Sequence, residues 1–208
     1  MDKMKTLNNH WDQIFQKTND DKLGWFERDY SQTLNFLDKI PKWSTSTIFI
    51  PGVGTSGLID LLLKTRASLI CNDLSSKAIE KLRQKYSNAE NKINWICQDI
   101  SYELPLEPYS VDVWLDRAVL HFLIDTKNIK GYFANIKKVI KPEGYAIFAE
   151  FSKSGATRCA GLDVKRYDVQ DLASLLPEFR LIADEAYNYL TPTGANKPYI
   201  YTLFKRIG

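Results

Sequence analysis

The sequence predicts an α/β fold: a doubly wound, mostly parallel seven-stranded sheet with helices on both faces and an antiparallel strand near the carboxyl terminus. Three observations predict it. Apolar strand-like runs alternate with helical patterns through the middle of the chain, and the first of them, Ile48-Phe49-Ile50, feeds a glycine-rich turn. The last two β-rich runs are joined only by the short segment Thr191 to Lys197. Strands linked by helical crossovers run parallel, whereas so short a connection favours an antiparallel pair.

Residues 1–43 are expected to form an amino-terminal helical cap of one or two helices, with Leu34, Phe36, Leu37 and Ile40 at helical spacing. Residues 44–208 supply the main body, and the whole is expected to be one structural domain. After Ile50 comes Pro51-Gly52-Val53-Gly54-Thr55-Ser56-Gly57, which leads into a helix. Ser68 to Asn72 is the second strand, closed by Asp73, and Ser75 opens a helix carrying Ala78, Ile79, Leu82 and Tyr86 on one face. Ile93 to Cys97 and Val111 to Leu115 are the third and fourth strands, followed by Asp99 and Asp116. Between Asn128 and Ile140, apolar residues recur at helical spacing until Lys141-Pro142-Glu143-Gly144 stops them. Tyr145 to Phe151 is the fifth strand, Tyr167 to Leu176 a helix, and Phe179 to Leu190 with Pro198 to Phe204 the closing pair.

Length and composition bound the function. A chain of 208 residues with 44% hydrophobic content suits one well-buried domain. Its 28 basic and 25 acidic residues are interspersed, so no surface built for nucleic acid is expected. The three cysteines, Cys71, Cys97 and Cys159, show neither disulfide nor zinc spacing, and two lie in apolar runs that suit buried free thiols. No metal site is expected. The polar stretch Met1 to Gln13 is unlike a secretion signal, and no apolar run is long enough to cross a bilayer, so a cytoplasmic location with no membrane partner is the expectation.

Ligands of such sheets bind beyond the carboxyl ends of the strands, and Gly52, Asp73, Asp99 and Asp116 all fall on that rim. Gly52 allows a tight turn, Gly54 lets backbone N–H groups approach a ligand, and Gly57 is expected to let the helix pack close to the strand. Asp73 lies twenty-one positions after Gly52, where a carboxylate accepts hydrogen bonds from ribose hydroxyls; its plain alternative is a cap on the helix opened at Ser75. The pattern reads as a cradle for an adenosine-containing cofactor, with a nicotinamide nucleotide as one candidate.

The order of cap, five crossover-linked strands and closing β-pair resembles the class I methyltransferases that use S-adenosyl-L-methionine and release S-adenosyl-L-homocysteine, a Rossmann-like fold. Phe49-Ile50-Pro51-Gly52-Val53-Gly54-Thr55-Ser56 looks like the Pro-Gly-x-Gly cofactor loop of the thiopurine and halide/thiol types and of some protein lysine methyltransferases. Trp11-Asp12-Gln13-Ile14-Phe15 is similar to the thiopurine type's aromatic lid, and Trp114-Leu115-Asp116-Arg117 to its fourth-strand end. Phe151 to Leu162 resembles a segment of bacterial members of uncertain substrate. Two positions depart from the pattern: Ile50 stands where an acid usually precedes the loop, and Ser56 where the tight form has its third glycine.

The resemblance implies that Gly52 and Gly54 meet the methionine part of the cofactor, that Asp99 binds the adenine amino group, and that Leu74, Ile100 and Gln98 flank the ring. Trp11, Phe15, Trp25 and Phe26 read either as plain core or as a lid facing the sulfonium, which gains from aromatic surfaces. Asp116 would face the methyl group as the candidate catalytic residue, orienting a nucleophile or holding the methionine ammonium; an ion pair with Arg117 or another neighbour is the alternative. His121, Arg158, Cys159, Arg166 and Tyr167 would border the substrate, His121 as a base or as a packing residue. The expected function is methyl transfer to a small sulfur, selenium or nitrogen nucleophile. The competing expectations are a protein lysine methyltransferase, a nicotinamide-dependent oxidoreductase and a non-catalytic cofactor-binding protein. Oligomeric state is not legible.

Overall fold

Alternation along the central strands splits the core between two faces of one sheet. Ile48, Ile50, Val113, Leu115, Ile147 and Ala149 bury toward one side, and Phe49, Trp114, Ala146 and Phe148 toward the other. Successive side chains of a strand point to opposite faces, so both faces must be covered, and helices cover them. The computed structural model describes residues 3–208, with side chains from Thr6 onward.

In chain order the elements are α1 (Lys3–Lys17), α2 (Ser31–Leu37), β1 (Thr47–Ile50), α3 (Leu58–Leu62), β2 (Ser68–Asp73), α4 (Ser76–Lys85) and β3 (Ile93–Cys97). They continue with β4 (Val111–Arg117), α5 (Thr126–Val139), β5 (Ile140–Phe151), β6 (Arg158–Cys159), β7 (Leu162–Asp163), α6 (Val169–Leu175), β8 (Phe179–Leu190) and β9 (Asn196–Arg206). The sheet order is β3-β2-β1-β4-β5-β9-β8, with β6 and β7 forming a separate small pair. β1 to β5 pair in parallel, and β9 runs antiparallel to both β5 and β8. Only β9 is therefore reversed, as the short connection before it predicts.

Local chemistry sets several boundaries. Ser75 caps α4, its hydroxyl accepting from the Ala78 N–H at 3.1 Å. Asp168 and Asp171 close a reciprocal capping box on α6. The segment Lys141 to Gly144, expected to break the chain between helix and strand, is instead the irregular start of β5. Ile140 already pairs with Val111, the register shifts before Val113, and Glu143 takes up the slack at φ +65°. α2 ends at Leu37, so Ile40, expected on the helix, packs into the core from the turn that follows. Cys97, expected to be buried, is exposed because β3 is an edge strand; Cys71 and Cys159 are buried. No helix among the described residues is long and apolar enough to cross a membrane.

α1 docks against α4 through Asp12, whose carboxylate accepts from the Ser75 hydroxyl at 2.6 Å and the Lys77 N–H at 3.1 Å. That contact swings the aromatic face of α1 over the carboxyl rim of the sheet. Trp11 and Ile14 pack there with Phe15, Leu23, Trp25 and Phe26.

Candidate functional site

Between this aromatic roof and the rim of the sheet lies a largely apolar cavity. Its floor is the turn after β1. Gly52 and Gly54 adopt φ +49° and +54°, the left-handed region that glycine enters without strain. A Cβ at Gly52 would sit 2.3 Å from Cγ2 of Val119, and one at Gly54 3.3 Å from the Phe15 ring. The Val53 N–H donates to the Asn72 carbonyl at 2.9 Å, tying the turn to the end of β2. Gly57 differs from expectation: its close neighbour is the Tyr30 hydroxyl, 3.0 Å from a Cβ placed there, and not a strand.

Asp73 is buried beside this turn. One carboxylate oxygen accepts from the Gly54 N–H at 2.7 Å and the other from the Ser75 N–H at 2.7 Å. Burial pushes its pKa up to about 6, against the opposing pull of those two N–H donors. Asp73 thus stands on the rim but does not cap α4: it accepts the N–H of Ser75, and Ser75 itself is the cap. Leu74, Asp99 and Ile100 line the same cavity, with Asp99 accepting from the Ser101 N–H at 2.8 Å. Trp11, Phe15 and Trp25 line it from above, the Trp11 and Trp25 rings meeting edge-on at 5.7 Å.

At the end of β4 the structure corrects the sequence reading. Asp116 is fully buried but does not line the cavity. Its oxygens accept from the Val119 N–H at 3.0 Å, the Leu120 N–H at 3.1 Å and the Tyr132 hydroxyl, on the side of the sheet covered by α5. Alternation along β4 puts the next residue into the cavity instead. Arg117 lines it, and it pairs with Glu27 at 2.9 Å rather than with Asp116. Its guanidinium lies 4.6 Å from the Tyr189 ring and 5.3 Å from the Tyr199 ring.

The substrate-side candidates divide. His121 and Cys159 line the cavity. Arg158, Arg166 and Tyr167 do not. Arg158 is exposed and bonds the Gly161 carbonyl at 2.7 Å, while Arg166 braces its own loop through the Lys153 carbonyl at 2.7 Å. Tyr167 is fully buried in the core on the α5 side, where a bridge to Ser152 holds it. His121 is also fully buried, its Nδ1 bonded to Glu150 at 2.7 Å. Sequence reasoning missed Glu27, Arg117 and Glu150. Glu150 carried a legible signal, an acid inside the apolar fifth strand; Glu27 sits in an irregular loop and carried none.

The family profile described as "Methyltransferase domain" matches residues 50–148. Among curated proteins, the chain is 27% identical over 150 residues to the tRNA N(3)-methylcytidine methyltransferase of Schizosaccharomyces pombe, covering 68% of this chain and 58% of that protein. It is 25% identical over 186 residues to the malonyl-[acyl-carrier protein] O-methyltransferase of Marinomonas sp., covering 83% and 66%. The chain thus spans about two thirds or less of the length of these relatives. Among solved structures it shares the fold of Burkholderia thailandensis 1,6-didemethyltoxoflavin-N1-methyltransferase, with TM-score 0.73, 18% identity, and coverage of 98% of this chain and 88% of that one. Residues 50–148 match the methyltransferase-domain family, and the solved structures that share the fold include one of the S-adenosylmethionine-dependent class from Methanosarcina mazei, at 17% identity and TM-score 0.68. The cofactor of that class is S-adenosylmethionine.

The cavity fits that cofactor. Its turn is bare backbone at Gly52 and Gly54, where a side chain would crowd Val119 and Phe15, its rim carries the buried acid Asp73, and its roof offers aromatic faces to a cationic sulfur.

Proposed function

We propose that this protein transfers the methyl group of S-adenosylmethionine to a small sulfur, selenium or nitrogen nucleophile. The observation that carries the reading is the enclosure of the cavity: the glycine turn, the aromatic roof and the His121–Cys159 wall all face one space. The Pro-Gly-x-Gly turn and the Trp11 to Phe15 lid further support a thiopurine/thiol-type relationship within the class. Backbone at Gly52 and Gly54 would hold the methionine part, Asp73 the ribose, and Asp99 with Leu74 and Ile100 the adenine. When bound, the cofactor supplies a methyl group on a positively charged sulfur, a leaving group that is already activated. The work left to the protein is alignment of the acceptor and exclusion of water. Trp11, Phe15, Trp25 and Phe122 suit that work, with Trp11 and Phe122 in edge contact at 4.9 Å.

The test is formation of S-adenosylhomocysteine across a panel of small thiols, selenols and amines. Turnover on several small acceptors is expected. The curated relatives are named for a tRNA and an acyl-carrier protein, so both belong beside the panel; turnover on a macromolecule alone overturns the small-acceptor reading.

Asp73 gives this binding a pH signature. Ribose hydroxyls donate to an ionised carboxylate, so affinity is complete above the raised pKa of about 6 and declines as the pH falls through it. Calorimetry should find S-adenosylmethionine bound roughly tenfold more weakly about one unit below that pKa than well above it. In Asp73→Asn this slope should vanish and affinity fall at neutral pH; a slope that persists removes Asp73 from the ribose role.

A further inference from the structure

We propose that Cys159, His121 and Glu150 form a nucleophilic thiolate site in the cavity wall that takes small, soft electrophiles as covalent ligands. The three residues come from separate elements. Cys159 ends β6, His121 lies in the single turn after β4, and Glu150 sits near the end of β5. Glu150 is fully buried, and its two oxygens accept from the Leu120 N–H at 3.2 Å and the His121 N–H at 3.1 Å. Burial pushes the Glu150 pKa up to about 8 against those donors, but the oxygen that faces the ring already accepts the His121 N–H, so we take the 2.7 Å contact with the imidazole as a bond donated by Nδ1–H to that same oxygen. That fixes the tautomer. Nε2 is left buried with no hydrogen-bond partner; the ring packs against Phe122 at 4.3 Å and Phe151 at 4.7 Å, and Cys159 lines the same cavity wall.

Two cations and one acid share the thiol's space, the acid being Glu27, which is paired with Arg117 at 2.9 Å. Lys197 Nζ lies 3.9 Å from Sγ, and Arg117 and Tyr199 face the same space. His10 approaches the next residue, its Nε2 3.0 Å from the Ala160 carbonyl. Burial by itself pushes the Cys159 thiol up, but His121, Lys197 and Arg117 more than offset it and leave it below the ordinary thiol range. Burial holds His121 down, so the imidazole is neutral and able to accept. In the reaction, Nε2 takes the thiol proton, the sulfur lone pair forms the new bond to the electrophilic carbon, and the leaving group departs with its electron pair. This chemistry needs no methyl donor, so its test is independent of the cofactor assignment.

The protein carries its own reference thiol. Cys97 is exposed, but partial burial and then Asp73 and Asp12 raise it, whereas Cys71 is sealed in the core. Limited iodoacetamide labelling of the intact protein across the pH range, with peptide mass spectrometry, compares the two directly. Cys159 should be alkylated at least tenfold faster than Cys97 at mildly acidic pH, despite its lower exposure. His121→Asn should remove that preference, and Lys197→Met should shift the Cys159 profile to higher pH. Failure of Cys159 to label, or Cys97 leading at every pH, overturns the proposal in the unmutated protein, whether or not the variants fold.

Discussion

Gly52→Ala is expected to abolish measurable S-adenosylmethionine binding and to lower stability by about 1–3 kcal/mol, the range for forcing a side-chain-bearing residue into a sparsely populated backbone region. Two separate effects act at this position. The backbone sits at φ +49°, where an L side chain is strained, and the new methyl would lie 2.3 Å from Val119 Cγ2. Val119 cannot simply retreat, since its N–H is held by Asp116, which is itself fully buried. The turn must therefore move, and with it the Val53 bond to Asn72 and the Gly54 bond to Asp73. Calorimetric titration measures the first loss and thermal unfolding the second. Gly57→Ala is the control: it has ordinary backbone angles, and the atom it meets is the tip of the Tyr30 side chain. It should keep most of the affinity. Unchanged binding in Gly52→Ala would show that the turn does not contact the cofactor.

How far such geometry was legible in the sequence depends on whether a signal is local. Glycines before a helix, caps such as Ser75, and apolar runs bounded by acids are short-range patterns, and they located every strand of the main sheet and its one reversed member. The irregular start of β5 escaped because Pro142 and Gly144 read as a stop, although Ile140 pairs with Val111 on one side of them and Tyr145 with Val113 on the other. The site was harder. Asp116 and Arg117 are adjacent, and sequence alone cannot say which of two alternating side chains enters the cavity. The structure sends Arg117 in and commits Asp116 to backbone N–H groups and Tyr132. Arg158, Arg166 and Tyr167 were grouped with Cys159 by nearness in sequence, yet the β6–β7 turn directs only Cys159 inward. The partners of Arg117 and His121 lie 90 and 29 residues away, distances across which no periodicity speaks.

The pair formed by Arg117 and Glu27 carries the other large effect: Glu27→Ala should cost about 3–5 kcal/mol, the usual consequence of leaving one member of a buried ion pair uncompensated. Both side chains are mostly buried, at 12% and 8% exposure, so water cannot take over the guanidinium. Tyr189 and Tyr199 offer it ring faces, and the Trp25 carbonyl lies 3.4 Å from Nη1, but none supplies a negative charge. For a domain of this size the loss corresponds to a melting temperature lower by about 10 °C. The double variant Glu27→Gln with Arg117→Met should recover much of it, because removing both charges removes the penalty. The pH dependence gives a second readout. Burial raises the Glu27 pKa above 4.5, even against Arg117, so the folded state binds this proton more tightly than the unfolded chain does. Its contribution to stability therefore grows as the pH falls through the raised pKa and is complete below the unfolded value, opposite to an ordinary exposed salt bridge. Glu27→Ala should remove that slope from the curve of unfolding free energy against pH. A small stability loss with the slope intact would mean that Glu27 is solvated and that Arg117 is held by the tyrosines alone.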